Sequence, residues 1–319
     1  MRPARLLLMA FLANTGLDVF PLCLGGNVFG WTIDEERSFE VLDAYVAAGG
    51  NFIDTADMYG RRSAEGAGAS ERIIGRWMAA RGNRDRLVIA TKVGMSQDSP
   101  GLSAEAIKRG VEGSLQRLGV ERIDLYYAHR DDPDTPLGET LQAFSELIQA
   151  GKVAHIAASN YSPQRLQAAL ETSEAEGYAS FVALQPHYNL LERDEYEGEL
   201  AEVCARHGLA CIPYFGLARG FLTGKYRREG PQPDGPRATG VRDSYFNERG
   251  FAVLDALDEI AATHQTSVAA VALAWLREQP TVLAPIASAT SPEQLSELVA
   301  SARLQLSAAE LDRLQTVSD

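Results

Sequence analysis

The segment Asn51-Phe52-Ile53-Asp54-Thr55-Ala56-Asp57-Met58-Tyr59-Gly60 decides how the rest of the chain is read. Phe52 and Ile53 are strand formers placed just after a Gly49-Gly50 break, and they carry a carboxylate, Asp54, to the strand exit. Tyr59 follows in the loop. The same arrangement, an apolar strand with a polar residue at its end, recurs three times. LVIATKVG (residues 87–94) carries Lys92, IDLYYAHR (123–130) carries His129, and VAHIAASN (153–160) ends in Ser159 and Asn160. Successive carriers lie about one strand-plus-helix unit apart. A βα barrel gathers its strand ends into one ring, so Asp54, Lys92 and His129 are expected to converge.

Working outward, the chain alternates between strand-like and helix-like segments. Residues 19–25 read as the first barrel strand, with Gly25-Gly26 allowing backbone to approach a ligand closely. Residues 34–48 show helical spacing, and Ser70 reads as the cap of a helix reaching Arg81. Further strands are expected at 87–93, 124–128, 152–159, 181–186, 210–214 and 282–287, each followed by a helical segment. Eight such repeats predict a (β/α)8 TIM barrel, an α/β fold, occupying residues 1–319 as a single domain. Asn14-Thr15-Gly16 marks an N-terminal hairpin within residues 6–20, and residues 306–317 an extra C-terminal helix. The stretch 215–249, after strand seven, is rich in Gly, Pro, Arg and Asp and reads as a long cofactor-clasping loop. A doubly wound sheet is the competing architecture, but no Gly-x-Gly-x-x-Gly follows a first strand.

A net charge of −13 argues against nucleic acid or an anionic membrane as partner. It leaves room for a phosphate-bearing cofactor, which needs only local donors and helix ends. Cys23, Cys204 and Cys211 form no Cys-x-x-Cys pair, so buried free thiols and a cytoplasmic location are expected. Residues 1–13 imitate a secretory signal, two arginines before eight apolar residues, but Phe11 would stand where a cleavage site needs a small residue. No other stretch is long and apolar enough to span a membrane. The five histidines lack metal-ligand spacing, so no metal site is expected. His155 reads as an interior residue and His207, ahead of Gly208, as part of a helix cap.

A charged lysine inside an apolar strand is costly unless paired, and Asp54 is the partner on offer. The ammonium in turn favours the phenolate of Tyr59, and a histidine can orient a carbonyl. Asp54, Tyr59, Lys92 and His129 together make a general acid suited to carbonyl reduction.

NFIDTADMYG, ATKVG, LYYAHR, ASNYSP, LQPHYNLLER and PYFGLARGFLTGKY, in this order and spacing, resemble the aldo-keto reductases over residues from about 14 to the end. The resemblance implies an NAD(P)H-dependent reductase of small aldehydes, ketones or oxidised sugars. It makes Tyr59 the proton donor, Lys92 and Asp54 the tuners of its acidity, and His129 the orienter of the substrate. It places Ser159, Asn160 and Gln185 on the nicotinamide carboxamide and Tyr214 against the nicotinamide ring. Gly26, Leu217, Ala218, Gly220 and Lys225 fall near the cofactor backbone, and Glu297 meets the adenine. Ser288, Thr290 and Gln294 occupy the segment that in the family carries Lys or Arg for the 2′-phosphate. No basic residue occurs between Thr281 and Leu298, so NADP(H) is favoured on family grounds while NAD(H) or dual use stays open. The tyrosine of strand seven is usually followed by Ser-Pro, and here by Phe215 and Gly216. Trp31, Met58 and Arg130 are expected at the substrate mouth, although Arg130-Asp131-Asp132 also reads as a solvated loop.

The pattern lies nearer the bacterial sugar- and aldehyde-reducing branches and the potassium-channel β subunits than the steroid reductases. The second of these suggests an alternative, a nicotinamide-sensing regulatory subunit with slow chemistry. An isomerase or aldolase on the same barrel would need a metal cluster or a Schiff-base lysine. Substrate identity, direction and oligomeric state are not legible in the sequence.

Overall fold

Side chains alternate across each barrel strand, and the two resulting sets form two cores. Phe52, Val88, Ala90, Leu125, Tyr127, Ala157 and Ala183 pack together inside the barrel. Their chain neighbours Ile53, Ile89, Tyr126, Ile156 and Leu184 pack outward against the helices. The computed structural model describes residues 9–12, 15–235 and 238–319, so most of the signal-like stretch and Asn14 of the expected turn lie outside the described residues.

The strands are β1 (Ala10–Leu12), β2 (Leu17–Val19), β3 (Cys23–Gly25), β4 (Phe52–Asp54), β5 (Val88–Val93), β6 (Ile123–Ala128), β7 (Val153–Ser159), β8 (Phe181–Gln185), β9 (Ala210–Cys211) and β10 (Ile286–Ala287). The helices are α1 (Glu35–Ala47), α2 (Ala69–Arg81), α3 (Ala104–Leu118), α4 (Leu137–Gln149), α5 (Pro163–Glu176), α6 (Glu199–His207), α7 (Ala238–Tyr245), α8 (Glu248–His264), α9 (Val268–Arg277), α10 (Pro292–Ala300) and α11 (Ala308–Ser318). β1 and β2 form an antiparallel hairpin, and eight parallel strands follow in the order β10-β3-β4-β5-β6-β7-β8-β9. Backbone bonds close the ring. Cys211 N donates to Thr281 O and Leu283 N to Cys211 O, both at 2.8 Å, and Ile286 N reaches Pro213 O at 2.8 Å. The fold is the expected (β/α)8 barrel.

Several local expectations are corrected. The strand read over 19–25 is divided: Pro21, which has no N–H to give a ladder, separates the hairpin from β3. Ser70 is not a cap. Gly68, at φ 78°, precedes α2, and the buried Ser70 hydroxyl instead donates to Gly26 O at 2.7 Å. Gly26 is thereby packed under protein, since a Cβ there would lie 2.9 Å from Ser70 Oγ and 3.1 Å from Asp54 O.

Within 215–249 the chain forms a 3-10 stretch, Ala218–Thr223, and α7. Ala238, Val241 and Tyr245 are buried at helical spacing, and Tyr245 joins an aromatic cluster around Phe221 at 5.6 Å. That cluster gives a polar-looking segment enough apolar contact to fold. His155 shares the interior face with Leu125 and Ala157, as expected, but is only half-buried, at the amino end near Thr15 of the hairpin. His207 bonds Gln167 Oε1 at 3.1 Å, and Gly208, at φ 66°, makes the helix end.

Candidate active site

Strand register assembles the polar residues at the carboxyl ends of the strands. Gly25 pairs with Asp54 and Asp54 with Ala90, Lys92 pairs with Tyr127, and Ser159 pairs with Gln185. His129 continues β6 by donating its N–H to Val93 O at 2.9 Å. Lys92, fully buried, donates to Asp54 Oδ2 at 2.6 Å, to Thr55 O at 2.8 Å and to Tyr59 Oη at 3.3 Å. Gln185 Nε2 donates to the other oxygen, Asp54 Oδ1, at 3.0 Å. Both carboxylate oxygens are therefore engaged, and the Tyr59 oxygen already accepts a hydrogen bond. The Tyr59 proton is left for the cavity. His129 stands edge-on to Tyr59, with ring centroids 6.0 Å apart at 79°.

Burial opposes charge on Lys92, but Asp54 and Tyr59 outweigh it and hold the ammonium above its ordinary range. Burial and the Asp54 carboxylate outweigh Lys92 at Tyr59, so the phenol is pushed up, contrary to the expected lowering. His129 is driven well below the usual histidine range by burial, with Lys92 and Arg130 adding to it, so its ring is neutral near pH 7. A neutral imidazole can donate one hydrogen bond without carrying a charge.

Above these groups lies a cavity of about 850 Å³, running from Asp54, Tyr59 and His129 past Tyr214 and Leu217 to Gln294 and Glu297. Its shape suits a long, extended ligand better than a small one. Its lining fits a dinucleotide: aromatic rings, hydroxyls and amides, and a buried Arg219 Nε with no hydrogen-bond partner. Residues 21–319 match the aldo/keto reductase family. The chain belongs to that family.

Curated relatives of this aldo/keto reductase include named oxidoreductases and a channel subunit. It is 34% identical to the oxidoreductase YrpG of Bacillus subtilis, over 93% of this chain and 91% of that one. It is 31% identical to L-glyceraldehyde 3-phosphate reductase of Escherichia coli K12, over 91% and 86%. It is 32% identical to a probable voltage-gated potassium channel subunit beta of Oryza sativa subsp. japonica, over 90% and 88%. The chain is thus an oxidoreductase by family.

Of the residues singled out in the sequence, Ser159, Asn160, Gln185, Tyr214, Leu217, Gly220, Lys225, Ser288, Thr290, Gln294 and Glu297 line the reductase cavity with the catalytic candidates Asp54, Tyr59 and His129. Lys92 lies beneath it, bonded to Asp54 and Tyr59. Gly26 and Ala218 are buried behind it. Trp31 and Met58 are half-buried outside its lining, and Arg130 is exposed while Asp131 pairs with Arg165 and Asp132 accepts from Leu102 N. Asn160, at φ 56°, donates to His129 O at 2.8 Å and accepts from Tyr214 Oη at 2.8 Å. It also donates to Ser159 Oγ at 3.0 Å while Ser159 Oγ donates to Gln185 O at 2.8 Å, so the expected carboxamide ligands are cross-linked to one another. Thr290 N and Oγ1 both donate to Gln294 Oε1, at 3.0 and 2.9 Å.

The cavity lining includes further residues unnoticed in the sequence, Asn27 and Met95 among them. Asn27, bonded through Oδ1 to Ser288 Oγ at 2.7 Å, follows the Gly25-Gly26 pair and was signalled by it. Met95 also lines the cavity, and no motif points to it.

Proposed function

We propose that this protein reduces the carbonyl of a small aldehyde or ketone, sugar-derived ones included, to an alcohol, with NADP(H) favoured and NAD(H) accepted. A bound reduced nicotinamide would supply the hydride to the carbonyl carbon. Tyr59 gives its proton to the carbonyl oxygen and regains one from water, so the product is the neutral alcohol. Lys92 fixes the Tyr59 oxygen from below, Asp54 holds Lys92, and His129, neutral, donates to the carbonyl oxygen and aligns it. The observation that carries this reading is the Lys92-to-Tyr59 hydrogen bond, which turns the phenol's own proton toward the cavity.

Ser159, Asn160 and Gln185 would hold the carboxamide, Tyr214 the ring, and Gly220 and Lys225 the pyrophosphate, with Arg219 as a further cation. Ser288, Thr290 and Gln294 would meet a 2′-phosphate through neutral groups only, which makes discrimination against NADH weak. The buried free cysteines fit a cytoplasmic location, and among the described residues no helix is long and apolar enough to cross a membrane.

The likeness to a channel β subunit favours one other reading, a nicotinamide sensor with slow chemistry. The test is oxidation of NADPH and of NADH, run in parallel with a reactive aldehyde and followed by nicotinamide absorbance. Turnover with a Tyr59-dependent rate supports the reductase. Tight cofactor binding with no turnover across a panel of aldehydes and ketones would move the assignment to the sensor.

A further inference from the structure

The Tyr214 ring has a second ring behind it. Tyr214 N donates to Pro186 O at 2.9 Å, Tyr188 N donates to Tyr214 O at 3.4 Å, and His187 and Tyr214 form a parallel bridge. These rungs set the His187 imidazole almost parallel to the Tyr214 ring, with centroids 5.4 Å apart at 11°. Phe215 closes edge-on against both, 5.4 Å from His187 and 5.1 Å from Tyr214. The phenol is held at its far end by Asn160 Oδ1. Tyr214 lines the cavity and His187 does not, so the imidazole backs the ring on the side away from the pocket.

His187 is a costly residue for that place. Its Nε2 is buried without a hydrogen-bond partner, and its Nδ1 lies 3.5 Å from Glu195 Oε1. An unpaired buried ring nitrogen is unfavourable, so an aliphatic side chain would serve mere space-filling better. What an aliphatic side chain cannot supply is a flat, polarisable face against Tyr214.

We propose that His187 is a positioning residue for the cofactor: stacked behind Tyr214 and boxed in by Phe215, it keeps the phenol ring flat against the nicotinamide. This rests on the reading of Tyr214 as the nicotinamide-facing ring. His187 touches neither cofactor nor substrate and acts through Tyr214 alone.

The test compares His187→Leu, which fills the space without stacking, with His187→Phe, which stacks. NADPH and 2′,5′-ADP, a probe of the adenosine end, are titrated against each. Leucine should weaken NADPH binding about five-fold, the scale of one aromatic pair, and leave 2′,5′-ADP unchanged. It should also shift the absorbance band of bound NADPH toward that of the free cofactor, and phenylalanine should restore both. His187→Gln gives the same comparison if leucine disturbs folding. An unchanged NADPH affinity and band in the unstacked variant overturns the proposal, as does equal weakening of both ligands without rescue by phenylalanine. A wild type that binds NADPH without perturbing its nicotinamide band overturns the reading of Tyr214, and the proposal with it.

Discussion

Tyr59 accepts from Lys92 and keeps its proton for the cavity, whereas Asp57, two residues earlier, has no partner for either carboxylate oxygen. For Tyr59 the consequence is chemical. Tyr59→Phe should cut carbonyl reduction by about 10²–10⁴-fold, the range of general-acid catalysis, while the affinity for NADPH stays the same. Steady-state rates and fluorescence titration check it, and equal loss of both would remove Tyr59 from the acid role. On the proposed mechanism the acid form is the active one for reduction. With the phenol pushed above its ordinary value, the rate should stay level through neutral pH and fall only in the alkaline range. His129, held neutral, should add no inflection near pH 6.5.

For Asp57 the consequence is stability. Burial, with Glu71 nearby, raises its carboxyl from 3.8 to about 7. Between those values the folded chain binds more protons than the unfolded one, so stability falls as pH rises through the window and stays low above it. Asp57→Asn should flatten that slope and stabilise the fold above pH 7 by on the order of 1–3 kcal/mol. Urea unfolding at several pH values between 4 and 8 measures it, and an unaltered slope would show that Asp57 does not titrate there.

At the scale of elements, the proposed function puts the choice between NADPH and NADH at the start of α10. Gln294 Oε1 accepts both Thr290 N and Thr290 Oγ1, and Ser291 Oγ accepts Gln294 N at 3.3 Å. Replacing Gln294 would undo that turn, whereas Thr290→Arg leaves the backbone bond in place and adds a cation. The variant should favour NADPH over NADH by about 1–2 kcal/mol more than wild type, the value of a charged hydrogen bond. The ratio of the two dissociation constants reports it. No change in the ratio would place a 2′-phosphate elsewhere, with Arg219 the next candidate.

Strand and helix order was legible at this scale because period and punctuation are local properties. α7 was not, because its three buried residues sit among Gly, Arg and Asp and matter only once Phe221 lies against them. Ser70 was misread for a similar reason: its partner, Gly26 O, is distant in sequence.

At the scale of the molecule, the hairpin and the site occupy opposite ends of the barrel. Leu12 and Val19 pack with Phe52 and Val88 at the strand starts, and Phe20 N bonds Asn51 Oδ1 at 2.8 Å just before β4. The hairpin thus plugs the amino end, while Asp54 and Lys92 face the cavity end. Leu12, 1% exposed, should cost about 2–5 kcal/mol of stability when replaced by alanine. Turnover of the folded variant at low temperature should match wild type, because the plug is a barrel's length from Tyr59. Denaturant midpoints and rates on the same sample check both halves, and a selective loss of rate would show coupling through the barrel.

The sequence by itself determined the βα order, the barrel, the family and the residue types at four strand ends. Each of these is carried by short-range pattern, by alternation within a strand and by fixed spacing between motifs. Only the tertiary structure decided that Lys92 points the Tyr59 proton outward, that the phenol is raised rather than lowered, and that Gly26 is sealed under Ser70. It alone set His187 behind Tyr214. Charge states and ring contacts depend on burial and on partners distant in the chain, and those exist only after the strands have closed into a ring.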